Sequence, residues 1–81
     1  MNRLKELIIT IDWMLGDVMY FDDDTREVVI DCSENEIYRR VTNSSKDLKF
    51  LGEAEIRKYI HMAFTDFNTF SKLKQTLKAY A

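Results

Sequence analysis

Leu4, Leu7, Ile8, Ile11, Met14, Leu15 and Val18 recur at three- and four-residue steps. On a 3.6-residue period they fall in one stripe, the pattern of an amphipathic helix. Gly16 stands where a left-handed cap would end that helix, so the pattern predicts a helix over residues 3–15. The pattern then changes. Asp17–Asp22 is rich in strand-favouring aromatics, Asp23–Arg26 is turn-like, and Glu27–Cys32 is β-branched at its centre. Ser33–Glu36 reads as a second turn and Ile37–Thr42 as a third strand. Three strands joined by short turns imply an antiparallel meander, with Val28, Ile30 and Cys32 sharing one face.

A polar loop follows at Asn43–Asp47, and Leu48–Leu51 reads as a short extended piece. From Glu53 to Phe64 the period is helical again, with Ile56, Tyr59, Ile60, Ala63 and Phe64 on the apolar face. Thr65–Thr69 interrupts with poor helix formers and good N-caps. Phe70, Leu73, Leu77 and Tyr80 mark a last helix. A single helix over 53–80 is the rival reading. It would place Lys74 in an apolar seam, which favours the break. The expected fold is one α+β domain over residues 1–81: a three-stranded antiparallel meander with an N-terminal helix and two C-terminal helices, in the order α-β-β-β-α-α.

Composition limits what can stabilise such a fold. A chain of 81 residues buries a small core. Its single cysteine, Cys32, cannot form an internal disulfide, and with one histidine, His61, it cannot build a Cys/His zinc site. Packing, or a partner, has to supply the stability. No segment reaches the ~18 consecutive apolar residues of a membrane span. The charged start Met1–Glu6 lacks the features of a signal peptide, so the expected location is cytoplasmic. Residues 1–36 hold three basic and ten acidic groups, and residues 37–81 nine and four, so a net charge of −7 is followed by +5. Folding either separates these charges into two faces or interleaves them.

Few residues suggest chemistry. Cys32 and His61 are the one candidate nucleophile–base pair, and a small Cys/His enzyme is the weakest of three functional readings. The plainer reading makes Cys32 a small core residue and His61 a surface one. Asp22, Asp23 and Asp24 invite a calcium loop. Its sixth and twelfth positions would hold Glu27 and Ser33 where glycine and an acidic residue are required. The triplet reads instead as a solvated turn. No glycine-rich phosphate loop or H-E-x-x-H stretch occurs. No cofactor and no metal is expected. Arg39, Arg40, Lys46 and Lys49, with Lys72, Lys74 and Lys78, form the case for a nucleic-acid-associated regulator. A sequence pI near 5.3 weighs against it.

The strongest feature lies on the first helix. Ile9 and Trp13 are four residues apart and point away from the core stripe, beside Glu6 and Asp12. Either another element covers them, or they form a recognition patch of the kind in which Trp is enriched. The chain's length, order of elements and acidic first half resemble small phage-encoded inhibitors, some anti-CRISPR proteins among them. That resemblance implies an acidic surface occupying a nucleic-acid site on a partner; Arg39, Arg40 and the terminal lysines depart from it. The leading expectation is therefore a non-catalytic protein-binding module, an inhibitor or regulator. Ile9 and Trp13 are its anchor, and Asp22, Asp23 and Asp24 an acidic rim that steers a protein with a basic surface. A homodimer built on the same patch, or on the last helix, is the other expected use of that surface.

Overall fold

Ser33 and Glu36 decide the main departure from the expected fold. The Ser33 hydroxyl accepts the Glu36 backbone N–H at 3.0 Å, which caps a helix where a turn and a third strand were expected. The computed structural model describes residues 3–44, 48 and 51–79. Its elements are α1 (Arg3–Gly16), β1 (Met19–Asp22), β2 (Glu27–Ile30), α2 (Glu34–Ser44), α3 (Glu53–Thr65) and α4 (Phe67–Ala79). The class is α+β as expected. The order is α-β-β-α-α-α, and the sheet of the described residues has two antiparallel strands rather than three.

The reason lies in residues 34–44. Ile37 and Val41, four apart, are the two buried positions, with Tyr38 half-buried against the core and Arg39 and Arg40 exposed between them. Arg39 and Arg40 stand side by side in the middle, and in a half-buried strand one of the two would face the core. On a helix both arginines reach back to Glu36, at three- and four-residue spacing. With α2 formed, the layout that underlay the likeness to phage inhibitors lapses.

The stripes predicted for the other helices build the core. Leu7, Ile8, Ile11 and Leu15 of α1 are fully buried. Ile56, Ile60 and Ala63 of α3 and Phe70 and Leu77 of α4 meet them, with Leu48 beneath. Gly16 ends α1 without the expected left-handed cap. Among the described residues positive φ occurs at Arg26 (63°) and Gly52 (86°). The chain leaves α1 through a Val18 N–H bond to the Leu15 carbonyl at 3.0 Å. Of the piece expected to be extended at 48–51, Leu48 and Leu51 have 3₁₀ geometry and residues 49 and 50 lie outside the described set. Tyr80, Lys46 and Lys49 also lie outside it.

The break between the last two helices is one residue, Asp66 (φ −148°, ψ 71°). Its carboxylate accepts the Thr69 N–H at 3.2 Å and the Thr69 hydroxyl at 2.6 Å, capping α4. These hydrogen bonds from Thr69, aided weakly by Lys72, hold the Asp66 carboxyl below its ordinary value of 3.8. A carboxyl depressed in the folded state contributes stability above its unfolded pKa and loses it as pH falls through the lower folded one. Asp66→Asn, which keeps an acceptor but does not titrate, is accordingly expected to lose less stability than the wild type as pH falls from 5 through the acid range. Urea midpoints of the two proteins across that range check it. Parallel curves would remove the cap's electrostatic contribution.

The two charge halves meet across two helix pairs. Lys74 of α4 reaches Asp12 of α1 at 3.1 Å in a partly buried pair. His61 of α3 reaches Glu34 of α2 at 3.0 Å, and Arg57 of α3 reaches Asn35 at 3.2 Å while stacking 3.9 Å above the Tyr38 ring. In the helical body, then, the signs are interleaved. The hairpin carries acidic charge with no such cross-helix partner among these pairs.

Candidate functional site

Helix α1 buries one side and leaves the other open. Trp13 is 78 % exposed, the most exposed large apolar side chain among the described residues. Ile9, one turn earlier, is half-buried. Together with Glu6, Thr10, Met14 and Ser44 they line an open groove of about 360 Å³. Thr10 donates its hydroxyl to the Glu6 carbonyl at 2.8 Å, and Ile9, Trp13 and Met14 supply the apolar part of the lining. Its far side is the C-terminal end of α2, where the Ser44 hydroxyl bonds the Val41 carbonyl at 2.7 Å. The sequence placed Met14 in the core stripe; half-buried, it serves both core and groove. Ser44 lies in the stretch whose pattern reads as a polar loop, so the sequence alone does not bring it to the groove.

Asp22, Asp23 and Asp24 are not brought to this groove; none of them lines it. They form the turn of the hairpin. Asp22 is structural: its Oδ1 accepts the Asp24 N–H at 2.9 Å and the Thr25 N–H at 3.4 Å. Its carbonyl accepts the Arg26 N–H at 2.7 Å, closing the turn as Arg26 takes its left-handed conformation. Asp23 and Asp24 are exposed. The anchor and the acidic residues therefore occupy different elements, not the centre and rim of one site.

In the hairpin, Met19 pairs with Ile30, Tyr20 with Val29, Phe21 with Val28 and Asp22 with Glu27. Met19 and Ile30 pack half-buried on the core at its base, while Tyr20, Phe21 and Val28 are 52–60 % exposed. Val28 and Ile30 share a face as expected, but Val28 extends past the core. Cys32 lies beyond the strand, half-buried against the core.

Cys32 and His61 are not joined by any hydrogen bond among the described residues. His61 is exposed, with Nδ1 3.0 and 3.1 Å from the two Glu34 carboxylate oxygens. Among the described residues no group of three or more His, Cys, Asp or Glu is placed to hold a metal ion. The basic residues are dispersed. Arg39 and Arg40 flank Glu36, whose carboxyl their hydrogen bonds and charge hold below its ordinary value, Arg39 contributing most. Lys72, Lys74 and Lys78 are on α4, and Lys74 is occupied by Asp12. No described helix is long and apolar enough to cross a membrane. Comparison of the chain with protein families, with curated proteins and with solved structures found no match.

Proposed function

We propose that this chain is a non-catalytic protein-binding module, an inhibitor or regulator, that docks on a partner protein through the α1 groove with Trp13 as anchor and Ile9 beside it. The observation that carries the reading is the exposure of Trp13 on a helix whose opposite side is fully buried. A large apolar ring this exposed contributes little to the fold, and its burial on a partner releases the unfavourable hydration. The groove beside it gives a partner's apolar side chain somewhere to sit. Carboxylates on the neighbouring hairpin bias encounters toward a basic partner without needing to touch the groove.

The test uses extract of the native host. Wild type, Trp13→Ala and Ile9→Ala are immobilised, captured proteins are identified by mass spectrometry, and their affinities are then measured with purified partner. Because Trp13 is exposed, its loss leaves the melting midpoint within about 4 °C of wild type. Binding is expected to weaken about 30-fold, the scale of an interface anchor. Trp13 is the sole tryptophan, so its emission should shift to the blue as the partner buries it. If both variants capture the same partner equally well and retain the same oligomeric state, the groove is not the docking site. Retention of the wild type on DNA or RNA at physiological salt would favour the nucleic-acid reading instead.

A further inference from the structure

The hairpin presents a second uncovered surface, separate from the groove. Residues paired across two strands share a face, so Met19, Phe21, Val28 and Ile30 lie on one side. Only the inner pair, Met19 and Ile30, reaches the core; Phe21 and Val28 continue the apolar strip outward, more than half exposed. The strand edges are open too. Among the described residues neither strand pairs with a third. The Asp31 N–H bonds the Val18 carbonyl at 2.8 Å, which sets the alternation of the ladder. By that alternation Met19 and Phe21 on one edge, and Val28 and Ile30 on the other, turn their N–H and C=O groups outward. The exposed apolar residues thus carry the outward backbone groups, the combination a strand-adding partner uses.

Charge selects the occupant. Residues 17–31 hold six carboxylates (Asp17, Asp22, Asp23, Asp24, Glu27 and Asp31) against one guanidinium, Arg26, a net charge of −5. A second copy would bring −5 against −5 along the same edge, and carboxylates on an edge strand are a known defence against such self-pairing. Nucleic acid is repelled for the same reason. We infer that the hairpin edge takes an extended segment of another protein in which basic and apolar residues alternate, the apolar ones covering Phe21 and Val28 and the basic ones reaching the flanking carboxylates.

Titration of the isotopically labelled full chain with a short capped peptide alternating lysine and valine tests this, with a glutamate–valine peptide as control. The lysine peptide is expected to shift the amide signals of Met19, Phe21, Val28 or Ile30, and to bind more weakly at high salt. Phe21→Ser should weaken it about tenfold, and Asp23→Asn with Asp24→Asn about fivefold. Both sites are exposed and away from the core; Val28→Ser provides an independent apolar variant. Trp13→Ala should leave this binding unchanged, which separates it from the groove. Absence of binding, equal binding of the two peptides or shifts confined to the helices would overturn the inference. So would a dimer in sedimentation equilibrium that Val28→Lys dissolves, since the occupant would then be a second copy.

Discussion

Phe70→Ala should lower the melting midpoint by roughly 10–40 °C, the largest effect of any single truncation considered for this chain. Phe70 is fully buried and is the largest of the fully buried side chains among the described residues. Emptying such a site costs the transfer energy of the ring plus the cavity it leaves, about 3–5 kcal/mol. A domain of 81 residues has about 4–12 kcal/mol in total. No disulfide is available to limit the unfolded chain, so the loss falls on packing alone. Phe67 supplies the internal comparison. Its ring stacks on Phe70 with centroids 6.0 Å apart, yet it is 36 % exposed. Phe67→Ala removes a ring of equal size and is expected to cost under about 1.5 kcal/mol, because water already reaches much of the site. Urea or thermal unfolding of the two variants checks the contrast. Equal losses would mean that the aromatic pair, not burial, stabilises the α4 entrance.

How much of this fold the sequence discloses depends on how many turns each helix spans. The helices α1, α3 and α4 each run thirteen or fourteen residues and repeat their apolar stripe over three turns or more. That is long enough for a 3.6-residue period to stand apart from alternation. Helix α2 has eleven residues and buries only Ile37 and Val41, and its β-branched and aromatic residues imitate a strand. Its remaining signals were local: the Ser33–Glu36 cap and the adjacent arginines. Helix α2 also bears on the candidate site. The angular position of Ile9 and Trp13 on α1 follows from the sequence alone. Their surroundings do not, since one wall of the groove is the end of α2 at Ser44. Likewise the Asp22–Asp24 turn was legible as a turn, but its separation from Trp13 depends on how far the hairpin extends beyond the core. A third strand would have covered one edge of that hairpin; as a helix the same residues leave it open.

Arg40→Pro is the second large effect expected, at a residue whose side chain is exposed. In α2 the Arg40 N–H belongs to the helical ladder, and a proline ring there removes the bond and collides with the carbonyl of Glu36. The cost is about 3 kcal/mol or more, borne entirely by the backbone. Arg40→Ala isolates that term. It gives up an exposed ion pair to Glu36 at 3.4 Å and gains a better helix former, so its midpoint should stay within about 4 °C of wild type. The loss in the proline variant spreads beyond α2, because Ile37 and Val41 fill the core between α1 and α3. The expected result is therefore a fall in midpoint together with a fall in far-ultraviolet helical signal, both absent from Arg40→Ala. A proline is tolerated at an outward-facing position of an edge strand, where no ladder bond is lost. If Arg40→Pro kept the wild-type midpoint and helical signal, residues 37–42 would be the third strand that the sequence pattern predicts. The Ser44 wall of the groove and the open edge of the hairpin would both disappear with the helix.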